Sequence, residues 1–190
     1  MKTWFPEAFK EFRILSIFDL LKEYIETGRI KIDKSRHPQL TTVHDPCNYV
    51  RKSQMAFGDH CGEMSRWITA QCCENMVEMV DNPVDNLCCG AGGGAWAGPY
   101  EKERIDFGKW KADQIKATGA ELVVAACHNC RDQIKKSLTK EFDLGIETKY
   151  VWELVSDSLI FKPWTKTEIT KARKKRDAQF ERDGIDLEEL

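Results

Sequence analysis

The chain has no apolar run approaching the ~20 residues a membrane-spanning helix needs. Its most apolar early stretch, Ile14-Leu15-Ser16-Ile17-Phe18-Asp19-Leu20-Leu21, is broken by Asp19 and followed by Lys22 and Glu23. No secretory signal is visible, because Trp4-Phe5-Pro6-Glu7 interrupts any hydrophobic region at the start. Charge of neither sign dominates: 29 Lys and Arg against 31 Asp and Glu leave a formal net charge of -2, which gives no reason to expect nucleic-acid binding by bulk electrostatics. No internal repeat is evident.

What is present suits one soluble globular domain with some peripheral helix: 190 residues, 42 % apolar and 32 % charged. There are 8 cysteines. Without a signal, a reducing compartment is expected, where cysteines bind metal or do redox chemistry more often than they form disulfides. The expected location is cytoplasmic, with any membrane association made through partner subunits.

Helical spacing of Phe9, Phe12, Ile17, Leu20, Leu21 and Ile25 predicts an amphipathic helix over 7–27, stopped near Gly28. Leu40-Thr41-Thr42-Val43-His44 reads as a strand ended by Asp45-Pro46. A second helix is predicted over 63–80, through Met64, Trp67, Ile68, Cys72, Met76 and Met79, and broken by Asn82-Pro83. A charged surface helix is expected over 100–118, stopped by Gly119. Leu122 to Ala126 is the clearest buried strand, a helix continues over 132–138, and 146–151 reads as a further strand. This alternation favours an α/β domain with a small, mostly parallel sheet. The organisation expected is an N-terminal helical segment (1–38), a central domain (39–162) and a charged tail (163–190) that is either a solvated or a partner-dependent helix.

Five cysteines carry the chemistry: Cys47, the adjacent pair Cys88-Cys89 opening Cys-Cys-Gly-Ala-Gly-Gly-Gly, and Cys127-His128-Asn129-Cys130. Cys47 and Cys127 each follow a strand, where α/β sheets gather ligands. Five thiolates, two of them adjacent, exceed what one tetrahedral zinc uses, and a polynuclear iron–sulfur centre is the natural candidate. Adjacent side chains diverge, so two neighbouring thiolates suit two irons of one cluster. Gly90, Gly92, Gly93 and Gly94 are expected to take φ > 0 and form a nest of N–H donors. Taken alone, Cys127-x-x-Cys130 at the start of a helix is ambiguous among a metal site, an iron–sulfur site and a redox dithiol. Two further readings stay open: a metal-free thiol–disulfide oxidoreductase using Cys127 and Cys130, and a zinc-stabilised interaction module.

These motifs, with His44-Asp45-Pro46-Cys47, resemble the cysteine-rich CCG domain of the B-type and D-type components of heterodisulfide reductase, and in particular the heterodisulfide-reductase-like iron–sulfur subunits of membrane redox complexes in sulfate-reducing microbes. The resemblance covers roughly residues 10 to 160. It implies that the five cysteines ligate a non-cubane [4Fe–4S] cluster in an oxidoreductase that cleaves a disulfide. Read from the residues themselves, Gly90, Gly92 and Gly93 would donate to such a cluster, and His44, near Cys47, is either a hydrogen-bond donor or proton source beside it or a plain loop histidine. Relatives usually carry two such units and often a ferredoxin-type Cys-x-x-Cys-x-x-Cys-x-x-x-Cys-Pro segment. Here there is one unit and no such segment. The chain is therefore expected to be a split subunit or the carboxyl-terminal portion of a larger one. Partners are implied: a ferredoxin-type iron–sulfur protein, a membrane cytochrome or quinone-reactive subunit, and a small-molecule or protein-borne disulfide.

Cys61, Cys72 and Cys73 fall outside the pattern and read as packing or loop thiols. His128 is expected to point away from the metal. Arg51 and Lys52 are read as solvated charges or as offsets to cluster charge. Trp67, Trp96 and Trp110 are read as core or interface groups rather than electron relays.

Overall fold

A computed structural model describes residues 4–13, 15–81 and 83–184. Within them the chain divides into two compact units, one ending at Ile160 and the other beginning at Phe161.

The β-branched run becomes strand β1, Leu40–His44. Around it lie β2 (Asn75–Met76), β3 (Leu122–Ala125) and β4 (Glu147–Tyr150), all parallel and in the order β2-β1-β3-β4. This is the α/β fold expected. Connections from β1 and β3 run to opposite sides, so the switch point lies between their carboxyl ends. Pairing sets His44 opposite Ala125, and the two chain segments leave the sheet side by side.

Both faces are covered, as a parallel sheet requires. Leu122 and Val124 pack with Phe18, Ile68, Cys72, Cys73, Val151, Leu154 and Val155 on one face. Val123 points the other way, into a core with Met79, Cys89, Ala91, Ala112, Ile115, Cys130, Ile134 and Leu138. Strand alternation thus puts Cys72 and Cys73 across the sheet from Cys89 and Cys130.

The single helix expected over 7–27 is two, α1 (Pro6–Glu11) and α2 (Ile17–Glu26). Ser16 caps α2: its hydroxyl accepts from the Asp19 N–H at 3.2 Å, and the Asp19 carboxylate accepts from the Ser16 N–H at 2.9 Å. That capping box outweighs an apolar spacing that runs through it. Ile14 and the Phe9 side chain lie outside the described residues. Gly28 ends the segment at φ +68°.

The helix expected over 63–80 also ends early. After α3 (Arg51–Phe57), α4 spans Gly62–Cys72; Cys73 is already extended at φ -118°, ψ 146°. The chain then becomes the sheet's edge strand, with the Val77 N–H bonding the Thr41 carbonyl at 2.9 Å. Met76 and Met79 continue the helical spacing, but tertiary pairing takes the backbone instead.

After the short α5 (Gly93–Ala97), α6 spans Glu101–Thr118 and stops at Gly119 in the left-handed region. It was expected on the surface, yet Arg104, Gly108, Lys111, Ala112 and Ile115 are buried. Their spacing is one helical face, pressed onto the Cys88–Gly90 turn. A Cβ at Gly90, which sits at φ +85°, would lie 2.1 Å from the Arg104 carbonyl oxygen, and one at Gly108 would lie 2.8 Å from that of Cys89.

Beyond β3, α7 (His128–Asp132) continues as a π-helical turn, Gln133–Leu138, and a last helical turn, α8 (Thr139–Glu141). After β4, α9 spans Val151–Ser158. The second unit holds α10, Lys166–Arg182, capped by Thr165 and Glu168 and with no buried residue. The acidic end of the tail lies largely outside the described residues.

The loop leaving β1 is anchored by a buried ion pair. Arg66 of α4 meets the fully buried Asp45 with Nη1 at 3.0 Å and Nη2 at 2.6 Å, and meets Glu78 at 2.8 and 2.9 Å. Burial works against the Arg66 charge, but the bonds to Asp45 and Glu78 override it and raise the guanidinium above its ordinary range.

Arg66→Met leaves the Asp45 carboxylate buried without its cation and is expected to cost about 3–5 kcal/mol in urea denaturation. Arg66→Lys, which cannot reproduce the fork, is expected to recover only part of that. Gly90→Ala is expected to cost at least about 1–2 kcal/mol from backbone conformation alone, with a further loss as α6 is displaced.

Candidate metal centre

The loop Asp45-Pro46-Cys47 turns directly off β1, and the Cys47 carbonyl accepts from the Arg51 and Lys52 N–H groups at 3.0 and 3.3 Å, leading into α3. The opposing loop is tied to it. Asn86 donates its side-chain amide to the Asp45 carbonyl, and Arg51 donates to the Asn86 carbonyl at 3.1 Å. Arg51 thus fixes the loop before Cys88 rather than lying free in solvent. Lys52 is exposed.

Cys88 is exposed and its sulfur accepts the Gly90 N–H at 3.3 Å, while Cys89 points inward and is buried. Adjacent side chains diverge here as expected. Of the glycines that follow, only Gly90 takes φ > 0. Gly92 lies at φ -54°, ψ 139°, and Gly93 and Gly94 open α5; the expected nest over 90–94 reduces to Gly90. The physical reason is the pressure of α6, which acts on Gly90 and leaves open space at Gly92, Gly93 and Gly94.

Cys127 occupies the cap position of α7 and is half-buried; Cys130, one turn on, is buried. His44, Cys89 and Cys130 bring a ring nitrogen and two sulfurs within 4.8 Å of one another.

The thiols form a connected set. The Cys130 thiol is directed at Cys127 and Cys89, and these contacts, with burial, push it well above the ordinary thiol range. Cys89 is held far below that range, chiefly by Cys130, then by Cys88, with a smaller contribution from His44. Cys88, which leans on Cys89 and feels the charge of Cys47, is pushed up. Cys127 is lowered to about 6 by Cys130, with the Cys130 and Asn129 N–H groups helping against burial. Thus four of the five sequence-predicted cysteines form a chain of contacts, Cys127 to Cys130 to Cys89 to Cys88, and Cys47 reaches it only through its charge at Cys88.

His44 supplies a direct test of fit. Its imidazole is buried, and neither ring nitrogen has a hydrogen-bond partner among the described residues. A buried polar ring without partners is rare in a finished structure. It faces two soft sulfurs, and these three donors fit a metal centre. Five sulfurs and an imidazole outnumber the ligands of a tetrahedral ion and suit a sulfur-rich cluster.

The remaining residues separate from the site. Cys72 is raised to about 12 by burial, and Cys73 is raised by burial too, on the other side of the sheet. Cys61 is exposed at the start of α4. His128, 71 % exposed, pairs with the Tyr150 hydroxyl through Nδ1, lies 3.8 Å from Asp132, and is not part of the His44–Cys89–Cys130 group. Trp96 lies under the Arg104 guanidinium at 4.2 Å, Trp67 faces Lys22 at 5.5 Å, and Trp110 is exposed.

Sequence reasoning missed Arg66, Asn86, Arg104 and Lys111, and read Asp45 only as a strand stop and part of a motif. Charge made Arg66, Arg104 and Lys111 look solvated, and Asn86 reads as an ordinary loop amide. The available signal was the small and apolar stripe Gly108, Ala112 and Ile115 on α6, which marks that face as packed.

The chain is similar to several known proteins. An uncharacterized iron-sulfur protein of Methanococcus maripaludis is 32% identical over 131 residues, covering 69% of this chain and 24% of its own length. The B-type component of fumarate reductase (CoM/CoB) of Methanothermobacter marburgensis is 28% identical over 155 residues, 82% of this chain and 29% of that one. The D-type component of the dihydromethanophenazine:CoB–CoM heterodisulfide reductase of Methanosarcina barkeri is 27% identical over 152 residues, 78% and 34%. These relatives are iron–sulfur and reductase proteins by name, and the chain spans between a quarter and about a third of their length. Among the described residues no helix is long and apolar enough to cross a membrane. Residues 41–135, from the start of β1 through the helix carrying Cys130, match the model of the cysteine-rich domain designated CCG, and the chain belongs to that family.

Proposed function

We propose that this chain is the cluster-bearing electron-transfer part of a heterodisulfide-reductase-like oxidoreductase, with Cys47, Cys88, Cys89, Cys127 and Cys130 holding a non-cubane [4Fe–4S] cluster. The observation that carries the reading is the approach of the Cys89 and Cys130 sulfurs to the buried His44 imidazole at the switch point, with Cys127 against Cys130 and Cys88 against Cys89. When bound, the cluster supplies electrons, two of which with two protons turn a disulfide into two thiols.

The chain's own residues bind and enclose. The Cys130 contact and two backbone N–H groups prepare Cys127 as a thiolate. Met79, Ala91, Ile134 and Leu138 exclude water on the sheet side. Cys88 is exposed and open space surrounds Gly92–Gly94, which leaves an approach for a disulfide from solvent. His44 faces Cys89 and Cys130, with a ring nitrogen within 4.8 Å of their sulfurs. The working unit is residues 39–162, with 1–38 and 163–190 as flanking segments. The electrons come from a ferredoxin-type iron–sulfur partner or from a membrane cytochrome or quinone-reactive subunit.

Anaerobically purified protein is expected to be brown, with about four irons and four labile sulfides per chain. Cys47→Ser and Cys89→Ser should abolish the cluster, and Cys73→Ser should retain it; a reversed ranking in iron and sulfide assays overturns the ligand set. Zinc without sulfide would instead support the zinc-stabilised module.

In metal-free protein, alkylation of Cys127 is expected to follow a midpoint near 6, its folded value. Because that value is depressed, Cys127 contributes stability that is fully present above the ordinary thiol range and is lost as pH falls through about 6. Disulfide reduction by metal-free protein lacking Cys47, Cys88 and Cys89 would support the thiol–disulfide enzyme instead.

A further inference from the structure

Lys111 is fully buried and heads the largest side chains withdrawn from solvent. Among the described residues its ammonium meets only the Gln114 side-chain oxygen and the Met79 sulfur, the latter at 3.5 Å. Among the described residues no carboxylate lies within ion-pair distance of it. An unpaired buried ammonium costs several kcal/mol, so a site that keeps one has something negative to set against it.

The helix shows where that charge lies. Arg104, Gly108 and Lys111 share one face of α6, and the backbone at Arg104 and Gly108 is pressed against Gly90 and Cys89. Lys111 is the next turn along. Met79, which its amine touches, packs in the same core as Cys89 and Cys130. The negative group acting most on the amine is the Cys89 thiolate, followed by Asp45, which is already committed to Arg66. The cysteine side of the core remains.

We propose that Lys111 is the fixed cation that offsets the negative charge of the cysteine-bound cluster and raises its reduction potential; this rests on the iron–sulfur reading above. Reduction adds one electron and breaks no bond, so the reduced centre is the more negative one and gains more from the cation in this low-dielectric setting. Without a cluster the compensation is incomplete: burial outweighs the thiolate charges and draws the amine down to about 8.

The test compares wild type, Lys111→Met and Lys111→Arg, reconstituted anaerobically with iron and sulfide and titrated with dithionite as electron donor. Lys111→Met is expected to keep its iron but show an about tenfold lower reduced-to-oxidised ratio at a given potential, about 59 mV for a one-electron couple. Lys111→Arg should stay near wild type. In metal-free form, Lys111→Met should unfold at higher urea than wild type, because an uncompensated charge is gone. An unchanged potential in iron-loaded Lys111→Met overturns the proposal, as does a metal-free Lys111→Met that is less stable than wild type. A wild type that takes up no iron overturns the iron–sulfur reading itself, whereas normal loading with an indifferent potential overturns only the role of Lys111.

Discussion

The parallel register of β1 against β3 is the constraint on which the site depends. By setting His44 opposite Ala125, it brings the loops to Cys47 and Cys127 out of the sheet side by side. A slip of one residue would turn Val123 and its neighbours to the other face and separate the two cysteine motifs. Strand alternation then sorts the remaining cysteines, placing Cys89 and Cys130 on one side and Cys72 and Cys73 on the other. The buried pair Asp45–Arg66 locks the β1 loop to α4, and the Asn86 amide ties that loop to the segment leading to Cys88. Ligand geometry is therefore set by backbone pairing and two polar ties rather than by the cysteines alone.

The parts of this arrangement that were readable in the sequence are those encoded locally. β1 falls on Leu40–His44 because Thr41, Thr42 and Val43 are β-branched and Asp45-Pro46 ends the run. β3 is a short apolar segment buried on both faces, and Gly28 and Gly119 stop helices in the left-handed region they suit. The three cysteine motifs were legible because their chemistry needs fixed residue types at the ends of such elements.

What was not legible depends on partners distant in sequence. The end of α4 at Cys72 is imposed by the Val77–Thr41 backbone bond, although Met76 and Met79 maintain helical spacing. The positive φ of Gly90, but not of Gly92, follows from the Arg104 carbonyl pressed against it. Arg66 and Lys111 carry charges that composition assigns to solvent, and only the assembled fold shows what they face. The break at Ser16 is a different case, since the Ser16–Asp19 capping box was present in the sequence and was outweighed by an apolar pattern that crosses it.

The buried charges explain why this core tolerates so many ionisable groups. Asp45 is neutralised by Arg66, which also serves Glu78. Arg104 rests on Trp96 and exchanges hydrogen bonds with Gln133, so its charge is spread over an aromatic face and an amide. Lys111 has only neutral contacts, and His44 has no hydrogen-bond partner among the described residues. Both belong to the core face that carries Cys89 and Cys130. The fold therefore leaves a cation and an imidazole under-satisfied on the one core face where the Cys89 and Cys130 sulfurs come together, the imbalance that a negatively charged, sulfur-bound centre would offset.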